Sequence, residues 1–225
     1  LEQRAGDGDA LLLAAGQARA PFAELFVVTA GQGAVPEYVL NYILDKNGIT
    51  DATVEYKSEH NEVNTLAASG MADLVMLPQP MATALLLKDA GFRVALDITE
   101  QFALAAEKDG KPGTVLSMGA LVVQASFAQR YPDKVAAFLE EYSLAVTFVN
   151  EEPAKAAVDI VSAGILPSEK VAEAAIPLCN IVFVVGEEMK TSIAPLMDIL
   201  FKADAKSVGG AVPDDAFYYI PAEVK

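Results

Sequence analysis

The residues best suited to chemistry fall in three short segments. The first is Val27-Val28-Thr29-Ala30-Gly31-Gln32-Gly33-Ala34-Val35-Pro36-Glu37-Tyr38, a β-branched run followed by two glycines and a proline. A strand, a glycine turn and a helix start in that order aim backbone N–H groups into the crevice beyond the carboxyl ends of parallel strands. Thr29, Gly31, Gln32, Gly33 and Ala34 are therefore expected to face a small ligand. The spacing is G-x-G-x-x-P, with Pro36 where a dinucleotide fingerprint needs its third glycine for close helix-to-strand packing. A nicotinamide-dependent oxidoreductase using this turn is thus the alternative rather than the main reading, although Glu55 and Glu59 lie near the position of that fold's ribose-binding acid. Glu37 places a carboxylate at the positive end of the helix dipole, which works against strong attraction of anions.

The second segment is Ser58-Glu59-His60-Asn61 and the third Pro78-Gln79-Pro80. Each follows an expected strand, so both loops should open on the same sheet edge as the glycine turn, with Glu59, His60 and Gln79 outlining a pocket together with Gln32. Gln79 is the side chain between the prolines best able to hydrogen-bond. His60 as a catalytic base would need a partner, and the sequence has no G-x-S-x-G, no nearby cysteine and no H-E-x-x-H. A single histidine and a single cysteine, Cys179 in an apolar stretch, argue against a metal site built on several such ligands and against an intrachain disulfide. No catalytic residue, metal or cofactor is expected; the pattern points to binding rather than to an enzyme.

These segments need a sheet to hold them. Short apolar runs at residues 24–30, 52–56, 72–77 and 92–96 alternate with helical periods at 35–46, 62–69 and 81–89, predicting a compact parallel-sheet lobe with right-handed crossovers. A polar turn at 108–113 precedes a further expected strand at 115–124. Helices are expected at 132–149, 153–163, 168–175 and 187–201, with Pro132 and Pro153 in first turns and Ser168 as an N-cap. The stripe Val135, Phe138, Leu139, Tyr142 and Val146 must cover an apolar surface, and strands to supply one are scarce in this half.

The chain of 225 residues is 53% apolar, with mean hydropathy +0.32, which suffices for a sizeable core and excludes disorder. Its 16 basic and 31 acidic residues give a net charge of −15, and the basic ones are scattered, so nucleic acid is not an expected partner. That charge does not itself exclude an anionic ligand: at about 20 Å it amounts to about 3 kcal/mol in water, and screening over about 8 Å reduces it to a few tenths. Apolar runs such as 10–15 and 181–185 fall far short of the roughly 20 residues that span a bilayer. Residues 11–15 with Ala18-Arg19-Ala20 imitate a signal peptide's apolar core and cleavage site. The flank, however, carries Glu2, Asp7 and Asp9 against only Arg4, so an amphipathic or irregular segment is expected.

Taken as a set, residues 31–49 (GQGAVPEYVLNYILDKNGI), 54–63 (VEYKSEHNEV), 72–86 (ADLVMLPQPMATALL), 127–142 (FAQRYPDKVAAFLEEY), 179–190 (CNIVFVVGEEMK) and 206–219 (KSVGGAVPDDAFYY) resemble the solute-binding proteins of ABC importers of the nitrate/sulfonate/taurine type. The resemblance runs from about Phe26 to about Tyr219. It implies the α/β fold of type II periplasmic-binding-protein-like domains, in which two lobes close on a small molecule and then dock on a membrane permease. It further implies an extracytoplasmic location, periplasmic or anchored at the cell surface. Members usually begin with further β-α units that form most of the first lobe. Residues 1–21 are accordingly left unplaced, 22–124 form the ligand-binding lobe, and 125–225 are the helix-rich region that normally completes the first lobe. The implied ligand is a small polar or anionic molecule such as a sulfonate, a carboxylate, a nitrate-like ion or a small heterocycle.

Overall fold

A computed structural model describes residues 12–15, 25–88 and 91–221. Five strands form one sheet: β1 (Leu12–Ala15), β2 (Phe26–Ala30), β3 (Thr53–Lys57), β4 (Leu74–Leu77) and β5 (Arg93–Asp97), in the order β3-β2-β4-β1-β5. β2 pairs in parallel with β3, Phe26 opposite Thr53 and Ala30 opposite Lys57, and with β4 through Val28 and Val75. The expected lobe is thus present, with one correction. β1 runs antiparallel between β4 and β5, Leu12 lying opposite both Leu77 and Asp97, so the leucine–alanine run read as irregular is an interior strand and the sheet is mixed. The imitated cleavage site and the acidic flank lie outside the described residues.

Helices α1 (Val35–Lys46), α2 (His60–Ala68) and α3 (Met81–Lys88) follow β2, β3 and β4. Strand alternation sorts the core into two layers. Val27 and Met76 face Val39, Leu40 and Ile43 of α1, whereas Val28, Ala30, Val75 and Leu77 face Val63 and Ala67 of α2 and Ala82 and Leu85 of α3. α1 begins at Val35 with Pro36 in its first turn, where the missing N–H has no helical acceptor, and ends before Gly48, held at φ +69°.

A helix absent from the sequence reading, α4 (Ile98–Lys108), follows β5. Asp97 caps it, accepting from the Thr99 N–H at 2.8 Å, and Ile98, Phe102, Ala105 and Ala106 form its buried face. The cap and the spacing were legible, but three alanines and Thr99 blur the stripe. The expected strand at 115–124 is not one. The segment runs extended without a ladder, touching helix α9 (Gly186–Ala203) through a long Val115 N–H to Ser192 carbonyl bond of 3.4 Å. β-branched residues need a neighbouring strand to become a strand, and this segment passes over a helix instead. Leu116 is buried, while Leu121, Val122 and Val123 are exposed.

The remainder is helical: α5 (Ala125–Arg130), α6 (Pro132–Glu151), α7 (Pro153–Ser162), α8 (Glu169–Ala175) and α9. Ser168 caps α8, accepting from the Val171 N–H. α8 packs on α3 and α9 on α1, which ties this half to the lobe. α6 buries Val135 and Val146, yet leaves Phe138 and Leu144 at least half exposed.

Phe102 is fully buried and its ring lies 5.5 Å from that of Tyr42. Phe102→Ala is expected to lower unfolding stability by about 3–5 kcal/mol, through lost burial and the cavity left behind. Urea denaturation checks this, and a loss below about 1 kcal/mol would show that α4 is not part of the core.

Candidate functional site

Because β2, β3 and β4 are parallel and in register, the loops after them open on one edge of the sheet. Residues 31–34, 58–59 and 78–80 are those loops. Gly31 sits at φ +92°, and a Cβ there would meet the Pro36 ring at 3.0 Å, so only glycine fits. Gly33 is at φ +73°, and its N–H donates to Oε2 of Glu37 at 2.5 Å. The turn's backbone donor is therefore held by the chain's own carboxylate. Gln32, Gly33 and Ala34 are exposed.

Thr29 is placed differently from expectation. It is fully buried, and its hydroxyl donates across the sheet to the Met76 carbonyl at 3.0 Å. A threonine one residue before the strand end points into the layer under α1, and here its polar group stitches β2 to β4.

Glu59 holds the N-cap position of α2 without capping it and is exposed. His60 begins that helix; its Nδ1 is sealed from solvent without a hydrogen-bond partner, and burial lowers its pKa from the ordinary value, favouring the neutral ring. One turn on, Asn64 donates from Nδ2 to the Met81 carbonyl at 3.3 Å, which leaves Oδ1 buried and unpaired. Gln79 accepts at Oε1 from the Thr83 hydroxyl at 2.7 Å and from its N–H at 3.3 Å, which leaves Nε2 buried and unpaired. The Gln79–Pro80 peptide is cis.

Tyr56, at the same end of β3, carries a buried hydroxyl without a partner; burial first, then the charge of Glu37, pushes its pKa up to about 12. Sequence reasoning missed Tyr56 and Asn64. The alternation of β3 and the one-turn spacing from His60 were the available signals. A buried polar group left unpaired costs about 1–3 kcal/mol, and among the described residues four of them lie on two of these strand–helix units, β3–α2 and β4–α3.

Charge at this edge is negative. Lys57 is paired with Glu55 at 2.6 Å and with Glu62 at 3.8 Å, and Glu37 and Glu59 add two more carboxylates. Among the described residues no three His, Cys, Asp or Glu side chains come together to hold a metal ion, and no helix is long and apolar enough to cross a membrane. A separate open groove of about 360 Å³ lies on α6, lined by Ala136, Leu139, Leu144, Phe183, Val185 and Pro221 among others. It is mostly apolar, with Glu140 and Ser143 as its polar side chains.

No family model matches the chain. No curated protein sequence matches it either. Solved structures do share its fold. An ABC transporter from Parabacteroides distasonis superposes with a TM-score of 0.80 at 20% identity, covering 96% of this chain and 72% of that one. The periplasmic aliphatic sulphonate binding protein of Escherichia coli gives 0.73 at 14% identity, covering 96% and 67%. The alkanesulfonate-binding protein of Xanthomonas axonopodis pv. citri, solved bound to MOPS, gives 0.58 at 15%, covering 93% and 68%. The fold is therefore the periplasmic-binding-protein-like α/β fold, and this chain spans about 70% of the length of each neighbour.

The buried neutral state of His60 makes stability depend on pH. Its folded pKa lies below the unfolded value of about 6.5, so the unfolded chain binds the extra proton and stability falls as pH drops below about 6.5, levelling once the folded pKa is passed. His60→Gln is expected to flatten the difference in melting temperature between pH 7 and pH 5, the carboxylates being common to both proteins. Equal slopes for the two would show that His60 is not held neutral.

Proposed function

We propose that the chain captures a small polar molecule and hands it to a membrane permease, as the solute-binding component of an ABC importer acting outside the cytoplasm. The observation that carries this reading is the set of polar groups of Tyr56, His60, Asn64 and Gln79, unpaired among the described residues, on two strand–helix units, β3–α2 and β4–α3, that share one sheet edge. Open α/β sheets bind ligands at that edge, and the neighbours with this fold are binding proteins rather than enzymes. Gln32, Gly33, Ala34, Glu59, His60 and Gln79 are the ligand-facing residues on this reading, with Gly31 shaping the turn. The side chains fit binding because they offer hydrogen bonds without an adjacent nucleophile and base.

On the same reading residues 125–225 complete a first lobe of further β-α units, which would close over the crevice. Support comes from α6, whose outward Phe138, Tyr142, Leu144 and Phe148 are exposed among the described residues, and from the part of each neighbour that has no counterpart here. Apolar side chains of this size forgo about 1.5–3 kcal/mol each when left in water.

Native mass spectrometry of protein purified without added ligand tests capture directly. A population heavier by one small molecule, lost on denaturation, is expected, and Gln79→Ala should weaken retention by about tenfold when both proteins are compared well below their melts, one hydrogen bond being worth about 1–1.5 kcal/mol, while the Thr83 donors it leaves unpaired lower its stability. Undiminished retention in Gln79→Ala would remove Gln79 from the site. A second outcome concerns α6: the chain by itself should self-associate at micromolar concentration, and a Phe138→Ser, Leu144→Ser double variant should shift it toward monomer in analytical ultracentrifugation. An unchanged monomer in both would argue that this face needs no cover.

A further inference from the structure

We propose that the outer edge of β5 is a self-pairing surface, on which a second copy of this chain lays its own β5 antiparallel and continues the sheet. The strand order leaves two edges, β3 and β5. A bare edge is a row of backbone donors and acceptors ready to take another strand. β5 is laddered on one side only, to β1, and among the described residues the backbone from Arg93 to Leu96 makes no hydrogen bond beyond that ladder. Val94 and Leu96 share one face of the strand and are 42% and 46% exposed, while Ala95 between them packs against the core layer under α1.

The order of side chains along β5 selects a second copy as the partner. A two-fold axis that uses the whole strand sets Ala95 opposite its own copy, Val94 opposite the second copy's Leu96, and Arg93 opposite the second copy's Asp97. Apolar then meets apolar and charge meets opposite charge, each twice. Arg93 is exposed and makes no ion pair among the described residues. Asp97 spends Oδ1 on the Thr99 and Glu100 N–H groups at 2.8 and 3.4 Å, which leaves Oδ2 to accept from a guanidinium. The other edge is barred to the same event. About the centre of β3, Glu55 would face its own copy, and Lys57 is already held by Glu55 and Glu62; like charges directly opposite destabilise a strand pair. The net charge of −15 repels at long range but is screened over about 8 Å, so the pairs at the contact decide. β5 lies across the sheet from β3, so the loops after β2, β3 and β4 stay open, and because β5 runs parallel to those strands the two crevices face opposite ends of the joined sheet.

Sedimentation of the full chain carrying Phe138→Ser and Leu144→Ser, which takes the α6 face out of play, reads this edge alone. A reversible monomer–dimer equilibrium is expected across the micromolar range. Arg93→Glu should raise its dissociation constant about tenfold, two attractive cross-strand pairs becoming two repulsive ones, with the melt of the monomer unchanged. Cross-linking reads the register in a Cys179→Ser background, which removes the chain's own thiol. On mild oxidation a mixture of Val94→Cys and Leu96→Cys chains should form a covalent dimer, the two thiols being directly opposite, whereas either variant alone should form little because its thiols lie on the diagonal about 7–8 Å apart. A sample that stays monomeric throughout, or a dimer indifferent to Arg93→Glu, would overturn self-pairing at β5 and leave solute capture untouched. Either single variant cross-linking as fully as the mixture would overturn the register and with it the pairing of Arg93 with Asp97.

Discussion

The parallel, in-register pairing of β2 with β3 and β4 is the constraint on which everything else depends. β2 is buried on both faces from Val27 to Ala30, so it cannot slip by one residue without exchanging the layer under α1 for the layer under α2. With Ala30 opposite Lys57 and Val28 opposite Val75, three loops finish at one edge of the sheet. The Thr29 hydroxyl on the Met76 carbonyl belongs to this lock rather than to the site. A residue that sequence order places beside the ligand turn thus serves the sheet, because the strand's last two side chains point to different layers.

What could be read in the amino-acid order followed from periodicity and punctuation. Pro36, Asn47-Gly48 and Ser168 mark helix ends by local chemistry, and each is found doing so. The failures have a common cause in partners that are distant in sequence. Residues 115–124 have the composition of a strand but form no ladder, meeting α9 only near Val115, and a β-branched run has no preference strong enough to create its own sheet. Leu12–Ala15 is too short to declare a period, and only the gap between β4 and β5 makes it a strand. Asn64 and Tyr56 could be placed by strand alternation and helical spacing, but their unpaired groups could not be foreseen. A count of satisfied and unsatisfied groups exists only in three dimensions.

Glu37 shows how a local bond outweighs a global charge. The net charge of −15 is spread over the whole surface and screened within about 8 Å. One carboxylate on the N–H of Gly33 acts without that attenuation, and it raises the pKa of the buried Tyr56 hydroxyl as a second effect of the same placement. The positive end of the α1 dipole thus faces a carboxylate of the chain itself.

The helix that carries Glu37 also joins the two halves of the molecule. Tyr38, the next residue, donates from its hydroxyl to Asp204 at 3.2 Å, just past the end of α9, and burial together with the Asp204 charge raises its pKa. At the far end of α1, Tyr42 and Lys46 both engage Asp109, which follows α4, and Lys111 closes on the same carboxylate. α1 is thus pinned at its first turn to the helix-rich half and at its last turns to the lobe.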